Sequence, residues 1–367
     1  MQVKYIDLPA QHQPIKKEII AVIERVIDHG MFILGEELKK FEGEFARYCG
    51  VKYAVGVNSG TDALIFILKA LGIGKGDEVI TVPNSFIATT SAIVAAGARP
   101  VFVDVNYGDL NINPKKVKGV ITSRTKAIIP VHLTGTPFDV DAIREICEKY
   151  NLFMVEDCAQ AAGATYKKKK VGGFGVANAF SFHPLKTLNA CGDGGAITTN
   201  DKELYEALTK LRNHGLRDRD HADIFGYNSR LDALQAAILS VKMKYLDKWN
   251  EMRRANAKVY HESLSDLVDV PFEPPYARSV YHTYIIKYPE RDALQKFLEK
   301  NGIETKIHYP VPIHRQNAWR QLTKKKGRFP VCEKLARTML SLPVHQCLTG
   351  EQVNYVCETI ERFVKRK

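Results

Sequence analysis

Between Tyr53 and about Thr199 the chain alternates short β-branched or aromatic runs, bounded by Gly, Pro, Asn and Asp, with helical patterns of apolar residues. Such runs read as strands, and they fall at Tyr53–Val57, Glu78–Val82, Arg99–Asp104, Thr125–Val131, Leu152–Glu156, Asn178–Phe182 and Gly195–Thr199. From Asp62 to Leu71, the residues Ala63, Phe66, Ile67, Ala70 and Leu71 lie on one helical stripe, and Val140 to Tyr150 reads likewise. This alternation predicts an α/β domain with a largely parallel sheet covered on both faces. After Gly226 the period changes. Leu231, Leu234, Ile238, Val241 and Tyr245 recur at helical spacing and predict a long amphipathic helix leading out of the large domain. Past the charged stretch Lys248 to Lys258, a smaller α+β segment with a Pro-rich passage at 271–276 follows. The boundary is expected near residue 248, giving a large domain with an N-terminal arm over 1–247 and a small C-terminal domain over 248–367.

Composition narrows the class. The chain has 367 residues, 45% hydrophobic and 26% charged, which is the ordinary globular range and excludes fibrous and low-complexity readings. The apolar stretch Ala63 to Leu68 stops at Lys69, far short of the ~18 residues that span a bilayer. The first residues lack the apolar run and cleavage site of a signal peptide, so a cytosolic protein without membrane partners is expected. Seven cysteines without paired spacing and without any CxxC argue against a disulfide framework and a structural zinc, and no metal is expected. The net charge of +12 attracts polyanions without choosing among nucleic acid, anionic lipid and a phosphorylated small molecule. The dense lysine clusters, 167–170 and 324–326, read as solvated hairpin tips beside glycines.

Generic nucleotide motifs are missing or misplaced: no GxxxxGK[ST] occurs, and the Gly72–Gly76 and Gly192–Gly195 runs lead into strands, where a phosphate loop must open a helix. One segment has the right context. Asn58-Ser59-Gly60-Thr61-Asp62 follows a strand and opens a helix, so it reads either as an anion-binding helix start or as a plain N-cap. Glu156-Asp157 closes a very apolar strand, where α/β proteins bind ligands; a carboxylate buried there needs a cation such as a protonated pyridine nitrogen, or else caps a helix. Lys186 stands in a Pro-bent turn after another strand end, where desolvation can make its amine neutral enough for a Schiff base. Taken in order, a helix start, an acid and a Ser181-x-x-x-x-Lys186 turn can hold the phosphate, ring nitrogen and aldehyde of pyridoxal phosphate.

At this level the chain resembles the pyridoxal-phosphate-dependent sugar aminotransferases of the DegT/StrS type, with the fold of fold-type I aminotransferases. The resemblance rests on NSGTDAL (58–64), PNSFIATTSAI (83–93), VFVDV (101–105), VEDCAQAAGA (155–164), VGGFG (171–175), FSFHPLK (180–186), GDGGAITT (192–199), GYNSRLDALQAAI (226–238) and HYPVPIH (308–314), in order over almost the whole chain. It implies that Lys186 bears the cofactor and shuttles protons and that Asp157 keeps the pyridine nitrogen protonated. By the same resemblance Gln160 bonds the phenolic oxygen, Phe86 stacks on the ring, and Gly60, Thr61 and Ser181 hold the phosphate. Asn228 joins them from the other subunit of a homodimer with shared sites. His308, Tyr309 and His314 match a motif near the sugar site, although two histidines six apart in a Pro-rich loop also suit a structural role. His183 reads as structural in its turn at least as readily as catalytic.

The implied reaction moves an amino group from an amino acid, by resemblance L-glutamate, to the keto group of a nucleotide-linked sugar. Some relatives carry histidine at the lysine position and remove a hydroxyl instead; Lys186 favours transamination over that dehydratase chemistry. Two readings of other classes stand beside it. A nucleic-acid-binding or regulatory protein would use the positive charge, but no helix-turn-helix or basic helical stripe is present, and no nucleic-acid partner is expected. A non-catalytic scaffold would bind the cofactor without exchanging amino groups.

Overall fold

The computed structural model describes residues 1–323 and 327–366. The predicted lysine hairpin tip at 324–326 therefore lies outside the described residues. Five strands come first in chain order: β1 (Tyr53–Val57), β2 (Glu78–Thr81), β3 (Arg99–Phe102), β4 (Thr125–Ile128) and β5 (Phe153–Asp157). After the small hairpin β6 (Thr165–Tyr166) and β7 (Lys169–Lys170) come β8 (Ala177–Ser181) and β9 (Gly195–Thr199). The main sheet has seven strands in the order β1-β9-β8-β5-β4-β2-β3. All its pairings are parallel except those of β9, which runs against both β8 and β1. The predicted largely parallel sheet is thus present.

Several strands end earlier than the apolar runs suggested. β2 stops before Pro83 and β4 before Pro130, residues that have no N–H to continue a ladder. Past Pro130, contact with β5 resumes only as an isolated bridge between Val131 and Asp157.

The helix Gly60–Ala70 starts two residues before its predicted stripe. Its Leu64, Phe66, Ile67 and Leu68 are buried against Val55, Val57, Ala177 and Ile197 on one face of the sheet. A second cluster, including Phe41, Phe45, Phe180, Phe182 and Leu239, fills the other face. The predicted long helix runs from Ala233 to Leu264 without interruption, so residue 248 falls inside it. Up to Trp249 it packs against Ile15 and Ile19 and against the second cluster, whereas Ala257, Tyr260 and Leu264 belong to a separate cluster with Leu294, Leu298, Val356 and Ile360. That cluster packs on the antiparallel pair β11 (Tyr284–Lys287) and β12 (Met339–Leu342), while the short β10 (Ala277–Arg278) joins β6. Val3, apolar and buried, bridges Ile303 and sits in the C-terminal cluster.

The predicted tip at 167–170 comprises the β6–β7 turn, 167–168, and strand β7. Lys167 pairs with Asp141 at 2.6 Å, and Lys170 pairs with Asp247 at 2.9 Å and lies over the Tyr48 ring. Among the described residues, no helix is long and apolar enough to cross a membrane.

Candidate active site

The sheet register gathers the site. Gly195, at the start of β9, pairs with Val57 at the end of β1 and with Ser181 at the end of β8, so three strand termini form one row. Asp157 ends β5 beside them, paired with Ala179. Above these ends a cavity of about 330 Å³ opens, walled by Gly60, Thr61, Asp157, Ser181 and Lys186 among others. This is the crevice at the carboxyl ends of parallel strands where open α/β sheets bind ligands.

Ser59 is extended and its Oγ accepts the Asp62 N–H at 3.1 Å, so the N-cap reading holds for this residue. The anion-site reading is compatible with it. The first-turn N–H groups have no intrahelical partner, and Gly60 and Thr61 face the cavity with the positive end of the helix dipole. Glycine is required at 60 because a Cβ there would lie 2.8 Å from Ser181 Cβ. The Asp62 carboxylate is turned aside and accepts from Ser229 Oγ at 2.7 Å.

Only one of the two adjacent carboxylates reaches the cavity, because successive side chains on a strand point to opposite faces. Asp157 lines it. Glu156 faces away and accepts N–H groups from Gly172, Phe174 and Gly175, with His132 Nε2 at 2.8 Å. Burial pushes the Glu156 carboxyl up, but these partners outweigh it and hold it low. His132, Glu156 and Cys158 form a buried group of metal-ligand types, yet the Glu156 oxygens are already occupied by these donors and tie down the 172–175 loop. Asp157, 5% exposed, accepts from Ala159 N at 3.1 Å and from Thr89 Oγ1 at 2.8 Å. Burial raises its pKa, opposed by those bonds and by the charge of Lys186.

Lys186 follows Ser181 in a turn closed by its own N–H to His183 O at 2.9 Å. Burial lowers its amine pKa to about 8, partly offset by the charge of Asp157. Gln160 is oriented by Thr134 N–H to its Oε1 at 2.8 Å, which leaves its NH2 3.3 Å from Tyr309 OH. Phe86 lines the cavity while remaining exposed, its ring 5.8 Å from that of Tyr309. His308 is held by Ser341 Oγ at 2.8 Å and stacks on Tyr5; burial and then the Lys186 charge lower its pKa to about 4, so it is neutral. His183 also lines the wall.

Two expected site residues lie elsewhere. His314 is not part of the cavity wall: its Nε2 is 2.9 Å from Glu333 Oε1 and its ring packs edge-on against Phe329. The short 3₁₀ turn Ile313–Arg315 points it to that carboxylate, which also draws Arg315. Asn228 is exposed outside the cavity, bridged through its backbone to Asn213. Sequence reasoning missed Tyr5, Thr89, His282 and Thr283, which also line the wall. Thr89 lies inside the PNSFIATTSAI motif and could have been singled out there; Tyr5 and His282 come from distant segments with no local motif.

The residues present fit pyridoxal phosphate. A buried carboxylate whose pKa is raised by burial suits a protonated ring nitrogen, a lysine held near neutrality suits the aldehyde, and the helix start with its glycine contact to Ser181 suits the phosphate.

Relatives are consistent with this geometry. A pleiotropic regulatory protein of Geobacillus stearothermophilus is 45% identical over 100% of this chain and 99% of its own length. A dTDP-3-amino-3,4,6-trideoxy-alpha-D-glucose transaminase of Streptomyces venezuelae is 42% identical over 100% of this chain and 97% of its own. The crystal structure of S. venezuelae DesV in complex with a ketimine intermediate superposes with a TM-score of 0.97 at 42% identity, covering 100% of this chain and 99% of that one. The architecture is therefore that of the fold-type I aminotransferases. With residues 13–361 matching its family model, the chain belongs to the DegT/DnrJ/EryC1/StrS aminotransferase family.

Proposed function

We propose that the protein transfers an amino group from an amino acid, with L-glutamate as the expected donor, to the keto group of a nucleotide-linked sugar, using pyridoxal phosphate. The observation that carries this reading is the convergence of Lys186, Asp157 and the Gly60 helix start on one cavity. When bound, pyridoxal phosphate supplies an electron sink that weakens the bonds at the carbon bearing the transferred nitrogen. The chain's own residues do the rest. Gly60 and Thr61 N–H groups and the Ser181 hydroxyl would bind the phosphate; Asp157, 5% exposed, would hold a proton on the ring nitrogen; Phe86 would cover the ring and limit water.

Lys186 Nζ, whose pKa burial lowers to about 8 in the apoprotein, would accept a proton from one carbon and return it to another. General acid–base transfer of this kind is worth roughly 10²–10⁴-fold. Gln160 presents its NH2 to the cofactor's phenolic oxygen, while His308 and Tyr309 line the path of the sugar. Asn228 lies among exposed apolar residues, Ile224, Phe225 and Tyr227, which supports its burial against a second copy and its action in that copy's site.

The test is borohydride reduction of the yellow protein followed by peptide mapping, then a screen of amino donors and nucleotide keto-sugars by mass spectrometry. The reading expects the tag on Lys186 and an amino sugar product. A tag on another lysine removes the site assignment; a tag on Lys186 with no amino group exchanged returns the scaffold reading.

A further inference from the structure

Lys242 is a buried base that the proposed chemistry leaves unused. It lies on the helix Ala233–Leu264 with 0% exposure. Its ammonium is within hydrogen-bonding distance of Asn189 Oδ1 at 2.6 Å, the Asn189 carbonyl at 2.9 Å and His12 Nε2 at 2.9 Å. An ammonium has three donors and no acceptor, so these contacts fill its capacity. All three acceptors are neutral groups. Burial pushes its pKa down to about 8, opposed by Cys191, whose Sγ is 3.9 Å away. A cation taken out of water in this way is costly unless its hydrogen bonds compensate.

Those bonds lead to Lys186. Asn189 Nδ2 donates to the Lys186 carbonyl at 2.9 Å and lies 3.4 Å from Gln11 Oε1. Two turns earlier on the same helix face, Gln235 brackets Cys191, two residues beyond Asn189: its Oε1 accepts Cys191 N–H at 2.7 Å and its Nε2 donates to the Cys191 carbonyl at 3.3 Å. The same cluster draws in Gln11 and His12 of the N-terminal arm, whose Tyr5 and Ile6 wall the cavity. Methionine could fill the volume of Lys242, but it would leave two buried oxygens of Asn189 without a donor.

We propose that Lys242 is a positioning residue that, through Asn189, fixes the turn carrying Lys186 and ties it to the N-terminal arm. This rests on Lys186 being the cofactor lysine.

Lys242→Met and Asn189→Asp are compared with wild type. Asn189→Asp keeps oxygens for Lys242 and removes the Nδ2 donor to Lys186, so it severs the relay without opening the core and remains informative if Lys242→Met does not fold. Two quantities are read: amide hydrogen exchange over 186–191 in the apoprotein, and the single-turnover rate of holoenzyme with saturating glutamate. Loss of a buried hydrogen bond corresponds to about a tenfold change, so exchange should accelerate and the rate fall by about that factor, with the glutamate concentration for half-maximal rate little altered. Exchange and rate both within about twofold of wild type in folded Asn189→Asp would overturn the relay, being well below that expectation. So would a defect confined to glutamate affinity. Borohydride tagging of a different lysine in wild type would instead overturn the underlying reading, while exchange over 186–191 would still report whether Lys242 holds the turn.

Discussion

Asp157 and Lys186 line one cavity, and each shifts the other: burial raises the acid and lowers the base, and their mutual attraction opposes both changes. Asp157→Asn should therefore still bind pyridoxal phosphate, followed by absorbance, yet lose about a hundredfold or more in the single-turnover rate with glutamate, the scale on which a preorganised charged group acts. An unchanged rate would remove Asp157 from its role. Lys186 adds a pH dependence in the apoprotein. Its folded pKa of about 8 lies below its ordinary value, so the folded state binds fewer protons than the unfolded chain between the two, and stability gained from this group rises with pH across that window. Lys186→Met apoprotein should be the more stable protein at pH 7, by up to roughly 3 kcal/mol, with the advantage shrinking toward pH 10. Urea melts at the two pH values check it, and an advantage that grows with pH contradicts it. At this scale the meeting of Lys186, Asp157, Ser181 and Gly60 at one cavity was legible, because three of them sit at predicted strand or helix ends and Lys186 in the turn that follows one. Tyr5 and His282 were not, since only tertiary packing brings residues so far apart in sequence to one wall. His314 had the motif, but Glu333 draws its ring away from the cavity.

Elements decide where those residues meet. The row Val57, Gly195, Ser181 is a register between strands distant in sequence, and hydrophobic pattern predicts the strands without stating which residue opposes which. The apolar runs overshot at β2 and β4 because apolarity continues where proline ends the ladder. The antiparallel direction of β9 was equally unreadable from its pattern. That register presses the helix start onto β8 and makes Gly60 a structural requirement of the anion site. Gly60→Ala places a Cβ 2.8 Å from Ser181 Cβ, an atom too close to the backbone to swing aside. The expected cost is about 1–3 kcal/mol of overpacking strain, together with weaker pyridoxal phosphate binding. Gly119→Ala, where the added carbon meets nothing within 4 Å, is the control. Cofactor titration and denaturant melts compare the two, and equal cofactor affinity in both variants would remove the helix start from the phosphate site.

Across the whole molecule, the long helix Ala233–Leu264 links two cores, and its Lys242 face reaches the Lys186 turn. The helix and the change of character after it were legible from periodicity. That Val3 crosses to the C-terminal core was not, because a single apolar residue carries no period. The proposed sharing of sites between two subunits belongs to this scale too. When Lys186→Ala subunits are mixed with a severely impaired Asn228 variant and allowed to exchange, a heterodimer with Asn228 acting in the opposite site has one doubly defective and one intact site. Activity should reappear. No recovery in verified heterodimers places Asn228 within its own chain. The central claim, amino transfer to a nucleotide-linked keto-sugar through Lys186, is tested most directly by following an isotopically labelled amino nitrogen from glutamate. In wild-type protein supplied with a panel of nucleotide keto-sugars, the label should appear in an amino sugar by mass spectrometry, and Lys186→Ala should leave it in glutamate. Label transfer that persists without Lys186, or glutamate deamination with no labelled sugar from any member of the panel, would contradict the account.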